Sequence, residues 1–253
     1  MHPIFALWAH PRSMSTAIER IMRERGDLDC AHEPFMYDYY VHRRVDRMPH
    51  FDVDPEHPQS YADIRDMLLE RAERAPVFIK DMSYYVVPHI LADDAFRARL
   101  RDGFLVRRPR AAIASYARID PDMSCEEIGI AAQWQHFQAL ARRPGPPPPV
   151  IRAEDVRAAP HAVIGALWQA WGLGDADHAF EWQSAPPADW EQVGGWHGAV
   201  SASSGIAPPP AGAEAREQAA FGDACAVFPH LRGYLDAHLS AYENLCKHAL
   251  TLR

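Results

Sequence analysis

Residues 4–20 constrain what this chain can fold into more than any other stretch. Ile4 to Ala9 is an uninterrupted apolar run, as a parallel strand buried on both faces requires. The polar turn His10-Pro11-Arg12-Ser13-Met14 follows, and Ile18, Ile21 and Met22 then recur at helical spacing. Ser13, Ser15 and Thr16 fall where the N-cap and first turn of that helix belong. Strand, short loop and helix start bring backbone N–H groups, hydroxyls, one cation and the positive end of a helix dipole to one point. Such a point suits a phosphate or a sulfate.

The loop does not have the form G-x-x-x-x-G-K-[ST], which needs two glycines and a lysine; Arg12-Ser13-Met14-Ser15-Thr16 contains neither type. A second anion-binding segment is Phe104 to Tyr116. It reads as a strand ending at Arg107, then Arg108-Pro109 opening a helix with proline in its first turn. Arg107 offers a bidentate fork to a phosphate dianion, and Ser115, eight positions on, adds a hydroxyl from the helix. A third segment, Val150 to Pro160, is a strand and turn followed by a helix that runs to Trp171-Gly172-Leu173.

In this order and spacing the three segments resemble the sulfotransferases that use 3′-phosphoadenosine 5′-phosphosulfate, over roughly two-thirds of the chain. The resemblance implies that Arg12, Ser13, Met14, Ser15, Thr16 and Ala17 hold the 5′-phosphosulfate, with Arg12 in the usual lysine position and Met14 in place of a glycine. It implies that Arg107 and Ser115 hold the 3′-phosphate. Ala153 replaces the tyrosine that some members place near the adenine, and Glu154 and Asp155 read as structural. Gly194-Gly195-Trp196-His197-Gly198 is a poor match to the family's C-terminal glycine-rich loop, and a surface loop describes it equally well.

Sulfuryl transfer needs a base for the acceptor hydroxyl. Cytosolic members of the family carry Lys-Thr-His after a central strand. The corresponding Lys80-Asp81-Met82 lacks the histidine. Another group uses a glutamate just after the second strand, which Glu33-Pro34 matches, so Glu33 is the expected base, with Asp81 and His32 as fallbacks. Pro34 predicts an extended Glu33 on the same sheet edge as Arg12. Pairing with Arg43 or Arg44 is the alternative for Glu33. Lys80 either adds charge near the sulfuryl group or forms a structural ion pair. The acceptor is a hydroxyl (or amine) of a small molecule, lipid or carbohydrate. The aromatics of 35–40 and 84–85 either line its pocket or fill the core.

Strands are expected at 4–9, 28–31, 76–80, 103–107 and 150–152, and helices after residue 15, over 61–74, from 109, over 124–142 and over 162–172. The expected architecture is α/β, a central parallel sheet flanked by helices in three layers, P-loop-like. The 253 residues, 48% apolar and 24% charged, suit one domain over 1–253, loop-rich from about 175 to 212 and helical beyond. The net charge of −8 argues against a nucleic-acid partner. The four cysteines are widely spaced and the histidines scattered, so no metal is expected. No signal peptide or membrane-length apolar run appears, so a soluble cytoplasmic protein is expected, with a homodimer left open. Two other classes stay open: a P-loop phosphotransferase or nucleotide hydrolase, and a non-catalytic nucleotide-binding relative.

Overall fold

The computed structural model describes residues 2–183, 185, 187–196 and 202–251. Five strands form one parallel sheet in the order β2-β3-β1-β4-β5: β1 (Ile4–Ala9), β2 (Asp29–His32), β3 (Val77–Met82), β4 (Leu100–Val106) and β5 (Val150–Arg152). Between them run α1 (Ser15–Glu24), α2 (Tyr61–Arg74), α3 (Ser83–Ala92), α4 (Asp94–Arg97), α5 (Pro109–Ala117) and α6 (Ile130–Ala141). After β5 come α7 (Ala153–Ala158), α8 (Pro160–Trp171), α9 (Ala213–Val227) and α10 (Leu231–Cys246). The α/β architecture is the expected one.

Strand β1 lies in the middle of the sheet and all six of its residues are buried. Alternation along it feeds two layers of helices. Phe5 packs on Trp171 of α8, with ring centroids 5.5 Å apart, while Trp8 on the other face packs on His136 of α6 at 4.7 Å. Gln133 of α6 donates its amide to the carbonyls of Trp8 and Leu105, both at 2.8 Å. The sheet is therefore tied to α6 by hydrogen bonds and to α8 by ring packing.

Four local readings differ from expectation. Residues 124–142 are not one helix: a 3₁₀ turn at Glu126–Ile128 is followed by Gly129 at φ 77°, and α6 starts only at Ile130. A Cβ at Gly129 would lie 2.9 Å from Cδ1 of Tyr84, so the break also admits the tyrosine. Strand β3 runs two residues further than expected, through Lys80 and Asp81 to Met82, and turns directly into α3. Tyr37–His42 forms a π-helical turn that buries Tyr37, Tyr39 and Tyr40. Within the loop-rich stretch, Asp177–Phe180 and Ala188–Val193 are 3₁₀ turns carrying buried Phe180, Trp190 and Val193.

Gly103 lies inside β4, where glycine costs sheet stability unless something approaches closely. A Cβ there would fall 2.6 Å from Cζ2 of Trp171, whose indole N–H donates to the Asp102 carbonyl at 3.1 Å. The ring is pinned and buried, and it has no room to retreat. Gly103→Ala should therefore destabilise the chain by roughly 1–3 kcal/mol, read as a lower urea midpoint with an unchanged slope. A midpoint equal to wild type would show that the α8 layer can shift.

Candidate active site

The carboxyl ends of all five strands open on one cavity of about 330 Å³, and each strand supplies a residue to it or just behind it. Arg12 follows β1, Glu33 follows β2, Lys80 lies two residues before the end of β3 and behind Glu33, Arg107 follows β4 and Arg157 lies in α7 after β5. Of the sequence-predicted residues, Arg12, Met14, Ser15, Thr16, Ala17, Glu33 and Arg107 line this cavity. Ser115 lines an adjoining cavity of about 200 Å³, and Arg107 and Arg157 border both. Ser13 and Lys80 are buried and line neither.

The loop after β1 has a tight backbone. Arg12 and Met14 adopt φ of 62° and 73°, in the left-handed region that favours glycine. Met14, standing where the family has glycine, thus takes the glycine conformation. Ser13 and Ala17 donate their N–H groups to the His10 and Met14 carbonyls at 3.3 and 3.0 Å. The amides open to an anion are therefore those of Met14, Ser15 and Thr16, which precede the first intrahelical bonds. Ser13 Oγ is buried and makes no hydrogen bond among the described residues.

Arg107 is oriented from both sides. His10 is fully buried and its pKa is lowered to about 3, chiefly by desolvation; the neutral ring accepts the Arg107 N–H at Nε2 (3.0 Å), so Nδ1 donates to the Pro11 carbonyl at 3.1 Å. The Arg107 guanidinium donates to the Arg12 carbonyl at 2.8 Å and lies 3.6 Å from Glu217 of α9. Ser115 accepts from Arg12 Nε at 3.0 Å, so here the serine serves Arg12 and keeps its own proton for another acceptor. Arg12 also donates to the Trp196 carbonyl at 2.8 Å. Burial, followed by the repulsion of Arg107 and Arg118, pulls the Arg12 pKa down, and burial does the same to Arg107. Arginine remains charged regardless, so the shifts mark positive charge that an anion would offset.

The sequence reading missed Arg157, whose Nε is buried without a hydrogen-bond partner among the described residues. It also missed Arg118 and Arg216, exposed residues at the second cavity. Arg157 sits inside the third motif, where attention went to Glu154 and Asp155. These two are structural, as expected: Glu154 accepts the Arg108 N–H at 2.9 Å, and Asp155 takes a two-pronged bond from Arg152 at 2.7 and 2.6 Å. Of the glycine-rich stretch, His197 and Gly198 lie outside the described residues, whereas Trp196 lines the main cavity.

Glu33 lies where expected but not in the expected conformation. Its φ is 40°, not extended. Its N–H continues the ladder to the Lys80 carbonyl at 2.9 Å, while its own carbonyl accepts from Met36 at 3.0 Å. The chain must therefore turn at this residue, against the preference Pro34 imposes. Its partner is neither Arg43 nor Arg44. Lys80 Nζ bonds Glu33 Oε1 directly, and Arg43 pairs with Asp38 at 2.6 Å. Among the described residues Glu33 Oε2 meets only the Tyr85 hydroxyl, at 3.4 Å. The fallback residues are engaged elsewhere: Asp81 accepts the N–H groups of Phe35 and Met82, and His32 Nδ1 lies 2.6 Å from Glu19.

Glu19 is the hub that the sequence reading passed over, although it stands on the apolar face of α1 between Ile18 and Met22. It is fully buried. It accepts from Arg23 at 2.8 and 2.9 Å and from the Trp190 indole at 2.9 Å, and it lies 3.7 Å from Lys80 Nζ. Burial alone would push its carboxyl up, but the charge and hydrogen bond of His32, then Lys80 and Arg23, hold it well below the usual range. A depressed folded-state value adds stability above the unfolded value and loses it as pH falls toward the folded one. Glu19→Gln should thus cost roughly 3–5 kcal/mol at pH 7, and wild type should lose more stability than the variant between pH 5 and pH 3. Urea melts at these pH values check this, and parallel losses would remove Glu19 as the source of acid sensitivity.

Aromatic side chains make up much of the rest of the wall. Tyr40, Tyr84, Tyr85, Tyr116 and Trp196 line the cavity, while Phe35, Tyr37 and Tyr39 fill the core, so both readings of the aromatic segments apply. No group of His, Cys, Asp and Glu able to hold a metal occurs among the described residues, and no described helix is long and apolar enough to cross a membrane.

Comparison with known proteins completes this picture. Two curated relatives from Arabidopsis thaliana, named branched-chain-amino-acid aminotransferase-like proteins 2 and 1, are 22% identical over 205 residues and 23% identical over 217. Each match covers 80% of this chain and 36% of the relative, so the chain spans just over a third of their length. The solved sulfotransferase domain from the curacin biosynthetic pathway matches with a TM-score of 0.51 at 15% identity, covering 90% of this chain and 97% of that one, a likeness of fold. Residues 3–227 match the family model described as a sulfotransferase domain. That span takes in all five strands and every residue named above around the two cavities, and the chain belongs to the sulfotransferase domain family.

Proposed function

We propose that the chain transfers a sulfuryl group from 3′-phosphoadenosine 5′-phosphosulfate to the hydroxyl (or amine) of a small-molecule, lipid or carbohydrate acceptor, with residues 1–253 acting as one catalytic unit. The observation that carries this reading is that a loop with open amides, a cluster of half-buried arginines and a carboxylate meet at one cavity. The buried Arg157 Nε and Ser13 Oγ, both without a hydrogen-bond partner among the described residues, fit an anion.

In this reading the amides of Met14, Ser15 and Thr16, with Arg12, hold the 5′ end of the donor. Arg107, Arg157 and the Ser115 hydroxyl hold its 3′-phosphate. The donor supplies the sulfuryl group. The acceptor oxygen forms its bond to sulfur as the bond from sulfur to the phosphate oxygen breaks, and the hydroxyl proton passes to Glu33 Oε2. The leaving phosphate takes up charge beside Arg12, whose place is set before the reaction by Ser115 and Trp196, so little reorganisation is needed. Lys80 does not line the cavity and acts through Glu33, holding Oε1 so that Oε2, which meets the Tyr85 hydroxyl, is the oxygen left to take the proton.

Two measurements test the reading. Adenosine 3′,5′-bisphosphate should bind more tightly than AMP, and Arg107→Ala should weaken the bisphosphate by at least about tenfold, a charge-assisted bond being worth roughly 1.5–3 kcal/mol, while leaving AMP nearly unchanged. Equal affinities in wild type would contradict a 3′-phosphate site. Glu33→Gln should bind the bisphosphate normally and lose about 10²–10⁴-fold in single-turnover rate. Turnover at the wild-type rate would remove Glu33 from the chemistry.

A further inference from the structure

The wall around the acceptor side of the cavity has a chemistry of its own. Tyr40, Tyr84 and Tyr85 form a contiguous aromatic set, with ring centroids 4.5 Å apart for Tyr84 and Tyr85 and 5.5 Å for Tyr40 and Tyr85. Their hydroxyls are engaged within the protein. The Tyr40 hydroxyl donates to Glu127 at 2.9 Å and lies 3.1 Å from that of Tyr84, and the Tyr85 hydroxyl reaches Glu33 at 3.4 Å. What these side chains present to a ligand is ring surface.

Behind that surface sits a buried carboxyl group. Glu127 is 1% exposed. Both of its oxygens accept: Oε1 from the hydroxyls of Tyr40 and Tyr116, at 2.9 and 3.4 Å, and Oε2 from the N–H and hydroxyl of Ser124, at 2.8 and 3.1 Å. Three of these partners are hydroxyls, which accept as well as donate, and burial raises the pKa of Glu127, so a cation close by is what would favour its ionised form. Among the described residues no lysine, arginine or histidine pairs with it. Arg12, which also lines the cavity, bonds Ser115 and the Trp196 carbonyl instead. A buried carboxylate without a counter-charge is costly. A cation over those ring faces would gain from the ring quadrupoles and from Glu127 together.

We propose that the acceptor is a small alcohol bearing an ammonium group, held against Tyr40, Tyr84 and Tyr85 with Glu127 as the counter-charge behind them, its hydroxyl turned to Glu33. This rests on the sulfuryl-transfer reading for the hydroxyl but not for the ammonium group. A neutral or anionic acceptor would bring no charge to pair with Glu127. An ammonium alcohol also divides the cavity by charge, with the anionic donor at Arg12, Arg107 and Arg157 and the cation at the tyrosines.

The test uses two probes of the same shape, choline and 3,3-dimethylbutan-1-ol, in which carbon replaces the nitrogen. Calorimetric titrations are run on the whole chain with and without adenosine 3′,5′-bisphosphate. Choline should bind at least about tenfold more tightly than its carbon isostere. Equal affinity, preference for the isostere, or binding of neither overturns the proposal. Glu127→Gln should bring the two affinities together with bisphosphate affinity unchanged, and a preference that survives overturns the role of Glu127. If that variant does not fold, Tyr40→Phe keeps the ring, removes the link to Glu127 and should reduce the preference in the same direction. A choline preference in a protein that binds AMP as well as the bisphosphate would uphold this proposal and discard the donor reading; the reverse pattern would do the opposite.

Discussion

The ammonium group of Lys80, buried at the end of the third strand and shared between Glu33 and Glu19, is the interaction on which the site depends. It joins three elements: α1, which continues the anion loop, β2, which Glu33 follows, and β3 itself. Buried charges are expensive, and hydrophobic replacements would often be as stable. What the cluster adds is position. Glu19 is held by Arg23, His32 and Trp190, Lys80 is held by Glu19, and Glu33 is held by Lys80, so the placement of one carboxylate oxygen is set by a chain of buried contacts.

The parallel sheet makes this possible. Each strand ends at the same edge, and the register pairs His32 with Lys80 and Leu7 with Lys80. The residues after β1, β2 and β4 then converge without any long-range loop. The neutral His10 carries the same logic across to the donor side, where its ring ties the end of β1 to the backbone of Arg107. Close packing beneath the edge, with Gly103 against Trp171 and Gly129 against Tyr84, fixes the height of the strands and helices that present these groups.

Much of this was legible in the sequence. Apolar runs marked β1, β3 and β4, and Arg12, Glu33 and Arg107 were placed by motif order. The misses have physical causes. Gly129 breaks a helical pattern because a distant tyrosine occupies the space of its Cβ, which no local signal reports. Glu33 takes a left-handed φ because the ladder and the following turn outweigh the preference imposed by Pro34. Glu19 and Glu127 are ionisable residues whose importance lies in being buried, as is the Nε atom of Arg157. A sequence shows a charge but not its burial, and only the apolar neighbours of Glu19 gave a hint. Ser115 was found by spacing, yet its partner in this structure is Arg12, a contact between residues 103 positions apart.

The central claim is that one cavity holds a bisphosphate nucleotide at the arginines and leaves Glu33 facing open space. A crystal structure of the chain with adenosine 3′,5′-bisphosphate tests it most directly. The account predicts one phosphate on the amides of Met14, Ser15 and Thr16, and the other on Arg107 and Arg157, with no nucleotide atom touching Glu33. A nucleotide bound with its sugar or base against Glu33 and the tyrosines, or with both phosphates away from Arg107, would contradict it.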